Sequence, residues 1–115
     1  EWLEFRRVLF RSMVKHIIIW DLKDELNDSE KADKKIEIKQ GLESLKGKIE
    51  GLIDIKVNID FLESSNGDMM LDSTFVDENA LKDYQVNPEH LKVAKIVRES
   101  TCSRKCVDFE IWLGG

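Results

Sequence analysis

The sequence has few of the residues and none of the short motifs on which several common protein classes depend. Its 115 residues include one proline, one tyrosine, two histidines and two cysteines. It has no phosphate-binding glycine-rich loop, nucleophile elbow or dinucleotide fingerprint, so ATP binding, NAD binding and serine hydrolysis are poor candidates. No apolar run approaches the roughly 18–20 residues of a membrane span. The net charge of −5 argues against DNA or RNA as a partner, because phosphate binding needs a basic surface.

The two cysteines, Cys102 and Cys106, are expected to be free thiols. Residues four apart in an extended strand lie about 13 Å from each other, whereas a disulfide needs Cα atoms within about 7 Å. Two cysteines without an export signal favour a reducing, cytoplasmic location. Because the sequence shows no CxxC motif, no His–Cys cluster and no EF-hand loop, we expect no metal and no organic cofactor.

Both ends of the chain are expected to lie outside a single domain. The segment from Glu4 to Ser12 resembles the in-frame translation of a sequencing-library adapter, so residues 1–12 are interpreted as a non-native extension and Met13 as the natural start. A genuine amphipathic extension is the alternative, whereas a signal peptide fits poorly because charges interrupt its apolar residues. Residues 13–111 then form one domain, and residues 112–115 form a tail without an interpretation.

Hydrophobic periodicity predicts strands and helices in the order β-α-β-β-α(α)-β. Strands are predicted over residues 14–22, 52–61, 68–76 and 101–111, the third with Met69, Leu71, Ser73 and Phe75 on one side. Alternation in the second strand points one set of side chains inward: Ile53, Ile55, Val57, Ile59 and Phe61.

The helices are predicted from caps and apolar spacing. A first helix begins near Asn27 and runs to about Lys46, with its inward residues at Ala32, Ile36, Leu42, Leu45 and Ile49. Asp77 caps the next helix, which carries Ala80, Leu81 and Tyr84. The last helix should direct Leu91, Ala94 and Val97 inward. This order suits a ferredoxin-like α+β fold, a four-stranded antiparallel sheet with helices on one face.

One face of such a sheet has no helix to cover it. Four residues that are apolar or weakly polar are assigned to this face: Ile18, Trp20, Met70 and Cys106. A domain of this size buries a modest fraction of its surface, so an additional interface would help it. We therefore expect a second copy of the chain on the uncovered face, giving a homodimer.

The run from Asp83 to Leu91 carries the candidate site. Proline suits the first position of a helix and Asn87 is a competent N-cap, so one helix should end near Val86 and another begin at Pro88. Tyr84 and His90 then flank the junction and can converge on one spot. As chemistry, His90 could act as a general base while Tyr84 orients a carbonyl oxygen.

Structural roles are the alternative for each of these residues. Tyr84 could pack with its hydroxyl bonded to the backbone, and His90 could satisfy the start of the helix. His16, in the middle of the first strand, is either a buried histidine with a satisfied hydrogen bond or a residue that lines a pocket.

The sequence resembles the stress-responsive A/B barrel domain family in four segments, which occur in the same order as in that family: residues 13–23, 45–52, 83–91 and 107–111. The resemblance implies a homodimer whose two sheets close face to face into one barrel, with a pocket between each sheet and its helices. Most members have no established biochemical role. One plant member, olivetolic acid cyclase, cyclises a linear polyketide with a tyrosine and a histidine that match Tyr84 and His90, and a first-strand histidine near its pocket matches His16. The family usually has histidine where this chain has Asn87.

Three functional hypotheses follow from these patterns. The first is a small dimeric protein that binds a small apolar or aromatic molecule, or acts through assembly alone. The second is a cofactor-free cyclase or lyase with His90 as base, Tyr84 as the carbonyl-orienting group and His16 in the pocket, which needs a cavity of several hundred cubic ångströms. The third is a cofactor-free monooxygenase, because related dimeric barrels include such enzymes.

Overall fold

The computed structural model describes residues 12–112 and contains the predicted order of elements. The strands are β1 (Ser12–Leu22), β2 (Leu52–Asn58), β3 (Met69–Phe75) and β4 (Thr101–Trp112), and the helices are α1 (Asp28–Glu43), α2 (Glu78–Val86) and α3 (Pro88–Ser100). Ser12 and Trp112, which the sequence assigned to an extension and a tail, pair with each other at the ends of β1 and β4. The predictions for residues 1–11 and 113–115 lie outside the described residues.

The four strands form one antiparallel sheet in the order β2-β3-β1-β4, with the helices on one face. This is the predicted ferredoxin-like α+β fold. β1 lies inside the sheet between β3 and β4, whereas β4 is an edge strand. No helix within residues 12–112 combines the length and the apolar character needed to cross a bilayer.

Side-chain caps determine where the helices begin. Asn27 and Glu30 form a reciprocal capping box at the start of α1, with bonds of 2.8 and 2.9 Å. The Asp77 carboxylate accepts a hydrogen bond from the Ala80 N–H at 2.8 Å at the start of α2. α1 ends at Glu43, earlier than the predicted Lys46, because the chain turns from residue 44 to residue 51. Two glycines in this stretch, Gly47 and Gly51, have φ of +84°, which favours glycine.

The buried face of β1 is not the one assigned from the sequence. Ile18 and Trp20 lie in the core beneath the helices, 5% and 4% exposed, and Cys106 pairs with Ile18 on the same side. Of the four residues assigned to the uncovered face, Met70 alone has a register that places it there. The assignment failed because β1 contains consecutive isoleucines, so both of its faces are apolar and a period of two cannot choose between them.

Other inward assignments also differ from the structure. In α1, Ile38 is buried whereas Ile36 and Ala32 are exposed, because this helix is mostly polar and its spacing left the packed face undetermined. Leu91 on α3 is exposed while Val97 is buried as predicted. β2 ends at Asn58, before the predicted Ile59 and Phe61, and an irregularity between Leu52 and Asp54 takes Ile53 out of the buried set.

The sheet face without helices, which we call the uncovered sheet face, is apolar over much of its area. Ile19, Val107 and Phe109 are 44%, 58% and 47% exposed there, and cross-strand pairing adds four further apolar residues: Met13, Ile17, Met70 and Ile111. An ion pair between Lys15 and Asp72 at 2.6 Å lies among them. A semi-apolar second face was therefore correctly predicted, although most of the residues that form it were not.

Candidate functional site

Tyr84 and His90 lie side by side at the junction between α2 and α3. Asn87 adopts an extended conformation with ψ of 131°, and its side chain accepts a hydrogen bond from the Glu89 N–H at 2.9 Å, so α3 begins at Pro88 as predicted. This break brings the phenol and imidazole rings to a centroid separation of 4.1 Å with planes inclined by 37°. The short connection between the two helices thus places the two side chains together.

His16 approaches the same spot from β1. Its ring is buried, and its centroid lies 6.3 Å from that of Tyr84 in an edge-on arrangement. Phe75 from β3 packs against Tyr84 at 4.9 Å and against His16 at 6.3 Å. The sheet and the helix junction together hold three polar aromatic rings around one position.

These three rings line a cavity of about 220 Å³ between the sheet and the helices. Its apolar wall comes from all layers of the fold: Ile18, Trp20, Leu42, Leu71, Ala94 and Val97. The guanidinium-bearing side chains Arg98 and Arg104 also line it. Cavities for drug-sized ligands occupy roughly 300–1,000 Å³, so this cavity suits a smaller molecule.

Two polar atoms in this cavity have no hydrogen-bond partner among residues 12–112: the hydroxyl oxygen of Tyr84 and Nδ1 of His90. The large majority of buried side-chain polar atoms in proteins are paired. An unpaired buried group costs about 1–3 kcal/mol. Both atoms therefore keep an unused hydrogen-bonding capacity on side chains that line the cavity.

Burial determines the protonation states of this pair. Desolvation raises the pKa of Tyr84 well above its ordinary value, so the phenol keeps its proton. Desolvation also lowers the pKa of His90, although the nearby backbone of Gln85 opposes part of that shift. At neutral pH the site therefore offers a neutral imidazole beside a phenol that can donate a hydrogen bond.

His16 has partners on β4 that sequence reasoning did not connect to it. Asp108 is its cross-strand neighbour, and a carboxylate oxygen lies 2.5 Å from Nδ1 of His16. This contact fixes the orientation of the ring and favours a proton on Nδ1. The Cys106 sulfur lies 3.7 Å from the same nitrogen. Burial, followed by the nearby Asp108 charge, raises the pKa of the Cys106 thiol.

Comparison with known proteins identifies relatives by sequence and by fold. The sequence profile described as the stress-responsive A/B barrel domain matches residues 14–111. A dimeric protein of unknown function and ferredoxin-like fold from Bacteroides fragilis is 33% identical, with a TM-score of 0.81 over 86% of this chain and 96% of that one. No functionally curated protein matches the sequence significantly.

More distant structures share the fold. A dimeric ferredoxin-like protein of unknown function from Thermobifida fusca is 20% identical, with a TM-score of 0.75 over 88% of this chain and 92% of that one. Hydroxynitrile lyase from Passiflora edulis is 17% identical, with a TM-score of 0.67 over 86% of this chain and 93% of that one. At these identities the likeness establishes the fold and not the activity.

Proposed function

Because the chain belongs to the stress-responsive A/B barrel domain family, we propose that it is a cytoplasmic homodimer that binds a small aromatic or apolar molecule between its sheet and its helices. The observation that carries this proposal is the pair of unpaired buried polar atoms, Tyr84 Oη and His90 Nδ1, on residues that line a cavity whose wall combines six apolar side chains with Arg98 and Arg104. The free thiols Cys102 and Cys106 are in keeping with a reducing compartment.

The residues that line the cavity indicate which chemical groups a ligand should carry. Tyr84 offers a hydrogen-bond donor and neutral His90 offers a second polar contact, so the ligand should carry a carbonyl or hydroxyl group at one end. The apolar wall calls for a ring or a short hydrocarbon at the other end. Arg98 and Arg104 favour a partial or full negative charge on the polar end.

Benzaldehyde and phenol are suitable probes for this binding, and NMR of the aromatic side chains is the measurement. The chain contains one tyrosine and two histidines, so their ring signals can be assigned with single substitutions. Saturable shifts of the Tyr84 and His90 signals, with weaker binding to the Tyr84→Phe variant, would support the proposal. Absence of any shift with either probe, or equal affinity in the variant, would count against it.

The uncovered sheet face is proposed as the dimer interface. Its exposed apolar residues, centred on Ile19, Val107 and Phe109, form a continuous patch of the kind that marks protein interaction sites. Relatives with this fold are described as dimeric. Two copies that meet through the same face would form a two-fold interface, in which each residue contributes twice.

Val107→Arg tests this interface. Two new charges in a packed apolar contact should weaken association by about 3 kcal/mol, which is roughly two powers of ten in the dissociation constant. Leu91→Arg is the matched control, because Leu91 is 45% exposed but lies on α3. Sedimentation equilibrium should show monomers for the first variant and wild-type dimers for the second. Dimers of equal stability in both would place the interface elsewhere.

A second candidate function is cofactor-free proton transfer at a small carbonyl compound, as in a lyase. The neutral imidazole of His90 can accept a proton, while the protonated phenol of Tyr84 can donate a hydrogen bond to the carbonyl oxygen. The rings lie 4.1 Å apart, so both can reach one substrate. The volume of about 220 Å³ favours a small aldehyde or cyanohydrin over a linear polyketide.

Turnover assays with an aromatic cyanohydrin and with a short polyketide-like substrate would test this candidate. His90→Ala should abolish turnover if His90 is the base, whereas Leu91→Ala, which changes the next residue of α3 on the exposed side of that helix, should behave as wild type. Equal turnover in His90→Ala and wild type would exclude His90 from the chemistry.

A further inference from the structure

Three potential metal ligands meet on the helix-covered side of β1 and β4. His16 contributes Nδ1, Cys106 contributes its sulfur and Asp108 contributes a carboxylate oxygen, and all three atoms lie within 4.8 Å of one another. His16 and Asp108 are cross-strand partners, and Cys106 is two residues from Asp108 on the same face of β4. The geometry points to a binding site for a borderline divalent cation of the Zn²⁺ class, which we call the β1–β4 triad.

The distances within the triad suit a tetrahedral ion. Zinc bonds of about 2.3 Å to sulfur and about 2.0–2.2 Å to nitrogen and oxygen place sulfur roughly 3.6 Å from each of the other two donors. The sulfur in the structure lies 3.7 Å from the His16 nitrogen and 3.5 Å from the Asp108 oxygen. Two of the three separations therefore already match those of bound zinc.

The third separation, between the His16 nitrogen and the Asp108 oxygen, must increase when an ion binds. The His16 nitrogen and the Asp108 oxygen are 2.5 Å apart, whereas a tetrahedral ion would hold them roughly 3.3 Å apart. The Asp108 side chain is 40% exposed, so its carboxylate can rotate without disturbing the core. His16 is buried and serves as the rigid ligand, with its ring proton moved from Nδ1 to Nε2 so that Nδ1 can bind the ion. The positive charge of Arg104 acts on the Cys106 thiol, and because Arg104 is exposed its side chain can turn away from a bound cation.

The donor set indicates which metal would bind. A thiolate, an imidazole and a carboxylate are the ligand types found in zinc sites, whereas Mg²⁺ and Ca²⁺ prefer oxygen ligands alone. Three protein ligands leave one tetrahedral position for water or another small molecule. His16 lines the cavity described above and Asp108 lines a second cavity of about 350 Å³, so the triad lies where the two cavities approach each other. This inference does not depend on the proposed function.

Cobalt titration tests the site directly, because tetrahedral Co²⁺ bound to a thiolate gives a charge-transfer absorption that oxygen and nitrogen ligands do not produce. The full chain, free of any polyhistidine tag and held reduced by a phosphine, would be titrated with Co²⁺ and then with Zn²⁺. Wild type should develop the band at one equivalent and lose it when Zn²⁺ displaces Co²⁺. Binding should also weaken as pH falls, because metal coordination releases the proton of the thiol.

Cys102 provides the matched control, since it is the other cysteine of β4 and is exposed. Cys102→Ser should keep the band, Cys106→Ser should lose it, and Asp108→Asn should bind Co²⁺ more weakly. NMR supplies a second readout without altering the buried histidine: Zn²⁺ should shift the ring signals of His16 more than those of His90. Absence of the band in wild type, its persistence in Cys106→Ser, its loss in Cys102→Ser, or unchanged affinity in Asp108→Asn would overturn the assignment.

Discussion

Replacing Tyr84 with phenylalanine should stabilise the free protein. The Tyr84 hydroxyl is fully buried and has no hydrogen-bond partner within residues 12–112, so it loses its bonds to water on folding and gains no protein bond in exchange. Phenylalanine has the same ring and omits only this oxygen. The packing of the ring against Phe75, at a centroid distance of 4.9 Å, should therefore be retained.

The size of the effect follows from the cost of an unpaired buried group. That cost is about 1–3 kcal/mol. Because Tyr84 borders a cavity, a small movement of the side chain can bring its hydroxyl to water, so we expect the lower end of the range. The free energy of unfolding should rise by about 1 kcal/mol. For a domain of this size, such a change raises Tm by roughly 4–8 °C.

Urea denaturation at a fixed protein concentration is the appropriate assay, because association makes the apparent stability of a dimer depend on concentration. Ser73→Ala is the matched control. The Ser73 hydroxyl is also fully buried, but it donates a hydrogen bond to the His16 carbonyl oxygen at 2.8 Å. Its removal should destabilise the protein by about 1 kcal/mol. The two variants should therefore shift the urea midpoint in opposite directions.

A destabilised Tyr84→Phe variant would refute the reasoning, because it would mean that the hydroxyl already has a good partner in the free protein. The proposed ligand site would then lose one of its two available polar atoms. A stabilised variant that also binds benzaldehyde more weakly would instead identify Tyr84 as a residue kept for binding at the expense of stability.

Two further predictions concern His90 and the turn before β2. Burial lowers the pKa of His90 below its ordinary value of 6.5. As the pH falls through 6.5, the unfolded chain therefore binds more protons than the folded protein, and the free energy of unfolding should decrease. His90→Gln should flatten this part of the pH profile of the urea midpoint, and an unchanged profile would contradict the burial of a neutral imidazole. Gly51→Ala should destabilise more than Gly47→Ala: both residues have φ of +84°, but a Cβ at Gly51 would lie 2.5 Å from the Ala80 Cβ, whereas one at Gly47 meets nothing within 4 Å. In thermal denaturation, the free energies of unfolding of the two variants should differ by about 1–3 kcal/mol. An equal loss of stability in both would show that the residues around Gly51 can relax.

Residues close together in the chain made much of the architecture predictable. The helices are capped through atoms two or three residues away by Asn27, Asp77 and Asn87, and Pro88 suits the first position of a helix. For the same reason the convergence of Tyr84 and His90 followed from the junction alone. The alternation of β3 was also predicted correctly, because its buried and exposed residues differ clearly in polarity.

The features that the sequence misassigned depend on the packing of whole layers. Ile18 and Trp20 are buried because the helices cover that face of β1, and a strand that is apolar on both faces carries no local signal of which face this is. Helical spacing assigned both Leu91 and Val97 inward, but of these two only Val97 is buried in the structure. Periodicity describes one element, whereas burial results from the way in which several elements meet.

The amino-acid sequence alone thus specifies the order of strands and helices, the first residues of the helices and the Tyr84–His90 pair, because hydrogen bonds between residues close together in the chain determine them. The cavity with its unpaired polar atoms and the β1–β4 triad exist only in the folded protein. His16 lies 90 residues from Cys106 and 92 from Asp108, so no local spacing could have suggested a His–Cys cluster. Antiparallel pairing of the first and last strands brings them together, and that pairing depends on the burial of the entire sheet.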